Sequence, residues 1–469
     1  MKTLKNSLIA VAAFITGAVT AQSHDSHDRV YTANQVSNTV SVINPATNTF
    51  LGEIRLGKPY PNVLSPLYKG EALVHGLRYS KEKKMLAVVS IGSNAVTLIS
   101  TETNKVLKTI YIGRAPHEPT FTPDSKQIWV SVRGEAYVSV IDVEKMEEVK
   151  RVSVADGPGM ISFSPDGSTA YVCSSFTPEL AIVRTSDYQI VKRIPVTSPF
   201  SPNIFTSPDG KWVALTHKDT GKVTVIDTKD NTIAKVITTG PITNHVTFII
   251  INKELIMLVT VGGENKVKAY NVAKDFKLQN TTDVGALPHG IWPSPDGKRL
   301  YVGIEYGDQV QAIDLSTMKV IATIAIGQSP QALVYADNAV TDVNNTTALS
   351  PLNDRTATQV IAFKNTTEGS TLKGRIAVRS IGLADLVEQS FGGLKPKTAY
   401  ILALSKSASQ PYTADYEVNS FISDDKGAYA GQSTGLVKSL EADSTIDYMN
   451  VVLIEKQTAE AVLIGSLQN

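Results

Sequence analysis

The chain has 469 residues, enough for two or three ordinary domains or for one large repeat array with a companion. Its 45 Lys and Arg nearly balance 44 Asp and Glu, and loss of residues 1–21 with Lys2 and Lys5 would move the formal charge from +1 to −1. That balance excludes a basic nucleic-acid surface or a polycationic membrane patch, and a single cysteine, Cys173, excludes an intramolecular disulfide.

Residues 1–21 read as a secretory signal: Lys2 and Lys5 form a positive start, the run 7–20 is apolar and small, and Val19-Thr20-Ala21 fits a cleavage site. The run is short for a spanning helix, and no Cys follows it to carry a lipid anchor. With no later segment able to span a bilayer, the expected address is periplasmic or extracellular. Residues 22–28 are a polar tail holding His24 and His27, which reads as mobile and solvated.

From residue 29 the pattern is β. Tyr31-Thr-Ala-Asn34, Asn38-Thr-Val-Ser-Val-Ile-Asn44 and Phe50-Leu-Gly-Glu-Ile-Arg-Leu-Gly57 are three alternating runs parted by turn residues. A repeated phrase follows, fullest in Leu287-Pro-His-Gly-Ile-Trp-Pro-Ser-Pro-Asp-Gly-Lys-Arg-Leu-Tyr-Val302. Two β-rich runs joined by Asp-Gly predict a hairpin. Copies appear as Pro116-His-Glu-Pro-Thr-Phe-Thr-Pro-Asp124, Gly159-Met-Ile-Ser-Phe-Ser-Pro-Asp-Gly167 and Pro202-Asn-Ile-Phe-Thr-Ser-Pro-Asp-Gly210, with weaker ones near 75, 245 and 331. The column headed by His289 recurs at 75, 117, 159, 202, 245, 289 and 331, at intervals of 42 to 44. Seven such units predict an all-β, seven-bladed propeller over 29–338. The first unit lacks its first strand, and 331–335 is a first strand with nothing after it, so one blade is expected to take strands from both ends of the array.

Tyr31-Thr-Ala-Asn34 followed by Ser37-Asn-Thr-Val-Ser-Val-Ile43, together with the Ser-Pro-Asp-Gly hairpins, resembles the YVTN-type β-propeller repeat family over roughly residues 29 to 338. The resemblance implies the fold and leaves the function open, because propellers host many activities. Related propellers occur in secreted surface proteins, lactone-cleaving enzymes and redox proteins. Nitrous-oxide reductase places histidine copper ligands at one end of its ring, but its full ligand set is not recognisable here.

Residues 339–354 are rich in Asn, Thr, Asp and Ser and read as a linker. Beyond them, 359–363, 374–378, 398–404 and 449–454 are strand candidates without the repeat signature. Residues 355–469 are therefore expected to form a separate β-sandwich, with a faint resemblance to the extracellular sandwiches of anti-sigma factors.

Hairpin alternation puts the repeat-head column at the upper mouth of the central channel. It reads His75, His117, Gly159, Pro202, His245, His289, Gln331. Four imidazoles there predict a metal site, with Cu and Zn the ions this ligand type selects. The competing expectation is a Pro-His-Gly turn copied by duplication, its imidazoles merely structural. His217, Glu264 and Glu305 belong to upper loops and Arg78 and Glu118 lie beside the column. With Gln331 they are the candidate ligand-binding set; Arg133, Glu135 and Tyr306 reach the same face. Three functions stay open: an exported binding protein for a transition metal or small polar molecule, a lactonase-like hydrolase or metal-dependent redox enzyme using the same mouth, and a surface scaffold contacting a protein partner. Cys173 lies in a strand and is expected to pack as a small hydrophobe.

Overall fold

The computed structural model describes residues 26–58, 68–352, 358–380, 384–442 and 448–467. The expected signal and His24 lie outside them. Seven four-stranded antiparallel sheets form the propeller. Blade 1 is built as its broken repeat predicts: Pro330–Ala336 is its inner strand, followed outward by Arg29–Asn34, Thr39–Asn44 and Thr49–Arg55. Blades 2 to 7 begin with inner strands Val74–Ser80, Pro116–Phe121, Pro158–Phe163, Ile204–Thr206, Thr243–Ile251 and Pro288–Pro293.

The Pro-Asp-Gly phrase forms the lower turn between first and second strands. Ser207 Oγ donates to Asp209 Oδ1 at 2.6 Å, the Gly210 amide donates to the Ser207 carbonyl at 2.8 Å, and Gly210 takes φ +71, a left-handed geometry that glycine adopts without a Cβ clash. Apolar side chains alternate toward neighbouring blades. Trp129, Val138 and Val140 of blade 3, for example, share a core with Ile161, Phe163 and Val183 of blade 4.

A recurrent irregularity sets the mouth. Between first and second strands the register shifts at Val74/Leu77, Pro116/Pro119, Pro158/Ile161, Thr243/Val246 and Pro288/Ile291, leaving two residues of each inner strand outside the ladder. Such bulges bend the strand and re-aim side chains. His75, His117 and His289 occupy the first bulged position. His245 is a correction to the column: Asn244 takes that first position and His245 the second. Asn244 uses it to donate to the Pro288 carbonyl of the next blade at 2.7 Å.

Residues 338–352, within the stretch read as a linker, are bound along the ring as a strap. The Asn338 amide donates to Asp28 at 2.6 Å, the Thr341 hydroxyl to Glu102 at 2.7 Å, and Glu53 and Ser350 exchange backbone hydrogen bonds at 2.7 and 2.8 Å. Ala339 and Val340 are buried. Gly52 makes room, since a Cβ there would lie 2.7 Å from the Leu349 Cβ. The strap thus climbs from the lower turns to the upper end of the outermost blade 1 strand.

Two further sheets follow. One orders Gln359–Ala362, Lys373–Ser380, Asp385–Gly392 and Tyr429–Gly435; the other orders Lys364–Asn365, Glu460–Ser466, Asn450–Glu455, Ala399–Ser405 and Tyr416–Ile422. Phe391, Tyr400, Leu402, Phe421 and Leu453 fill the core between them. The four-stranded sheet also lies on the upper face of the propeller. Alternation in Lys373–Ser380 sends Ile376 and Val378 into the sandwich core, while Ala377 packs on Ile242, Ala286, Leu287 and Tyr306 of the propeller. Arg379, fully buried, donates to the Glu305 carbonyl at 2.7 Å and Asp308 at 2.9 Å and pairs with Glu388.

Candidate functional site

The bulges bring the imidazoles of four blades into one chamber under this sandwich. Ring centroids are 4.6 Å apart for His75 and His117, 6.4 Å for His75 and His289, and 4.9 Å for His245 and His289. His117 Nδ1 donates to the Gly159 carbonyl at 2.6 Å, which fixes its tautomer and leaves Nε2 with its lone pair. His75 Nδ1, His289 Nδ1 and Glu305 Oε2 are buried without a hydrogen-bond partner, and the last two stand 3.6 Å apart. Unpartnered buried polar atoms are costly, and three of those among the described residues sit at this mouth.

Burial strips protons from these rings. It lowers the His75 pKa to about 3, with the charges of Arg133 and Lys218 adding to the effect. His117, His245 and His289 are also driven well below the ordinary range, mainly by burial. At neutral pH the mouth therefore presents uncharged imidazoles that can accept hydrogen bonds or bind a metal ion. Burial raises the Glu305 carboxyl, while nearby Lys218 and Gln331 favour its charged form. Gln331 is held by a 3.0 Å bond from its amide to Ser329 Oγ.

Three residues along its strand from His75, Arg78 crosses the channel. Its guanidinium lies 5.0 Å from the Trp292 ring centroid and 5.5 Å from Phe205, and it pairs with Glu118. Burial pushes Glu118 up to about 7 against the pull of Arg78. Arg78 also donates to the Leu77 carbonyl and Met160 Sδ, so its donors are taken and the pair plugs the channel below the imidazoles.

Two candidates are elsewhere. His217 is buried inside blade 5, with Nδ1 2.8 Å from Ser201 Oγ and Nε2 2.6 Å from Thr224 Oγ1, so both ring nitrogens are used structurally. Glu264 pairs with Lys268 at 2.8 Å and lines a crevice of about 280 Å³ between propeller and sandwich, away from the imidazoles. The residue sequence reasoning missed is Lys218. It occupies the position just after the second strand of its blade, as Arg133 and Glu305 do in theirs; aligning that loop column would have found it. Arg133 sits between Phe176 and Phe200, at 5.8 and 5.5 Å from their centroids.

Lys218 and Glu305 also line a cleft of about 900 Å³ between the propeller and the sandwich, whose walls include Phe200, Asp219, Leu287, Tyr306, Ile422 and Tyr429 and none of the imidazoles. Among the described residues, no three His, Cys, Asp or Glu side chains are already arranged to hold a metal ion. Cys173 is buried against the Met160 carbonyl, its thiol pushed up to about 12, and takes no part. No helix among the described residues is long and apolar enough to cross a membrane.

Fold and site together define a seven-bladed propeller with an imidazole-lined mouth roofed by a β-sandwich. The chain belongs to the YNCE-like beta-propeller family, whose match runs over residues 4–341. No curated protein matches it. Among solved structures it is similar to hydrazine synthase of Kuenenia stuttgartiensis, at 19% identity and TM-score 0.52, over 59% of this chain and 94% of that one. A functionally unknown protein of Desulfotomaculum acetoxidans is similar at 12% identity and TM-score 0.55, over 66% of this chain and 99% of that one. The dihydro-heme d1 dehydrogenase NirN matches at 11% identity and TM-score 0.49, over 87% of this chain and 75% of that one. At these identities the likeness is one of fold.

Proposed function

We propose that this chain is an exported binding protein whose roofed chamber captures a small polar molecule. The observation that carries the reading is the set of unpartnered buried atoms at the mouth, His75 Nδ1, His289 Nδ1 and Glu305 Oε2, with Glu305 also lining the cleft. A concave site with a few convergent polar groups between two bodies is the usual form of a ligand site. Export rests on the pattern of residues 1–21. The test is thermal unfolding of the untagged chain with the small-molecule fraction of its own compartment, followed by native mass spectrometry. The wild type should gain stability and carry a stoichiometric mass excess, and His75→Phe/His289→Phe should do neither. No shift in the wild type, or the same shift in the variant, sinks the reading.

A transition-metal site is the second reading, favoured by neutral imidazoles whose ring spacings suit ligands on a common ion. Against it stand the cations Arg133 and Lys218 nearby, and a donor set that must first rearrange. Titration of metal-free protein with zinc or copper salts decides it. Stoichiometric binding lost in His75→Ala/His289→Ala supports a centre; weak uptake lost only in His24→Ala/His27→Ala assigns the metal to the tail.

A further inference from the structure

We propose that the ligand is an organic anion with an apolar body: its anionic group lies against Lys218 and Arg133 at the chamber, and its body fills the cleft under the sandwich. This rests on the small-molecule reading above and names its chemistry.

The cleft gives the size and the character of the body. About 900 Å³ is room for a molecule of several fused or linked rings. The propeller floor contributes Leu287 and Tyr306 and the sandwich roof Ile422 and Tyr429. Ile422 is 67% exposed, an unusual exposure for a large aliphatic side chain that faces a neighbouring body. An apolar molecule in the cleft would cover it.

The inner end gives the charge. Lys218 makes no direct ion pair among the described residues, and the carboxylate of Glu305 is the negative charge that acts on it. Among the described residues Arg133 meets only the faces of Phe176 and Phe200, so its donors remain available. The surrounding imidazoles are uncharged, and Arg78 is already matched by Glu118. Of the acids that line the cleft, Asp219 accepts from the Ser198 hydroxyl and Glu388 pairs with Arg379, and a desolvated cation without a direct ion pair, as Lys218 is here, is what an incoming carboxylate or sulfonate satisfies. His75 and His289 add ring nitrogens that can donate to the same oxygens.

The structure also supplies a blocking variant. Gly392 lines the cleft, its φ is not left-handed, and a Cβ there meets nothing within 4 Å. Gly392→Trp should therefore fold and fill the space. The experiment uses the full chain and a matched pair of fluorescent probes, anilinonaphthalene sulfonate and its uncharged analogue N-phenylnaphthylamine, with thermal melts confirming that each variant is folded. The sulfonate should saturate at one per chain and bind at least tenfold tighter than the neutral probe. Lys218→Gln should erase most of that preference, and Gly392→Trp should abolish binding of both. Equal affinity for the two probes overturns the anionic group. Binding that survives Gly392→Trp in a folded protein overturns the cleft. Either failure leaves the chamber reading intact if His75→Phe/His289→Phe still removes the native ligand, so the two claims fail separately.

Discussion

Single side chains in the mouth act through their lost protons. An unfolded imidazole titrates near 6.5, whereas folded His75 holds its proton off down to about 3 and His117 and His289 are likewise depressed. Below about pH 6.5 the unfolded chain thus binds more protons than the folded one. Their contribution is complete above that pH and is lost as pH falls, by up to about 1.4 kcal/mol per pH unit for each ring. Glu118, raised to about 7, works oppositely, its folded form gaining as pH falls through that value. The readout is therefore a difference. In metal-free protein, His75→Phe/His289→Phe should lose less stability than wild type between about pH 7.5 and about pH 5.5, measured as urea midpoints. Parallel slopes would mean the rings titrate normally. At this scale the sequence put the four imidazoles, Gln331 and Glu305 at one mouth, and the fold sets the four rings side by side. The sequence could not show that Ser201 and Thr224 consume both nitrogens of His217, because those partners come from other positions of the same blade.

Among elements, the closing strand Pro330–Ala336 stands out: it pairs with Arg29–Asn34 across about three hundred residues of chain. Truncation after Gly327 removes it and opens strand edges on both sides of the gap. Truncation after residue 352 removes only the sandwich, which we propose is a unit with its own core. Thermal melts should show a cooperative transition for the longer fragment and none for the shorter; equal melting would mean that blade 1 does not need its inner strand. The repeat made this closure legible, since a missing first strand and a surplus one are visible without any structure. The offset at Asn244 was not legible. Two polar residues in succession fit the column equally well, and only the ladder decides which is bulged first. In the sandwich, Asp385–Gly392 and Tyr416–Ile422 escaped notice because Glu388, Gln389, Asn419 and Ser420 interrupt the apolar alternation that marked the other strands.

For the whole molecule, the sequence predicted two β bodies but not that one roofs the other. The signal was Gly374-Arg-Ile-Ala-Val-Arg379, a strand whose residues 376–379 are all buried, on both faces, with an arginine among them. Arg379 joins the bodies through Asp308 and the Glu305 carbonyl. Arg379→Met would leave Glu388 buried and unpaired, a loss of about 3–5 kcal/mol for such groups, and should bring protease cuts to the exposed upper loops. Protection equal to wild type would show that apolar contacts alone hold the roof. The strap 338–352 should resist cleavage in the wild type, since its backbone is bonded to Glu53 and its side chains to Glu102.

The shared blade also imposes an order in time. As the chain emerges from a ribosome or a translocation pore, Arg29–Asn34 appears early and waits for its inner neighbour until Ala336 has followed. At about 5–20 residues per second that wait lasts on the order of tens of seconds, during which the ring stands open. The strap and the roof come later still, so the mouth gains its cover only after the circle has closed.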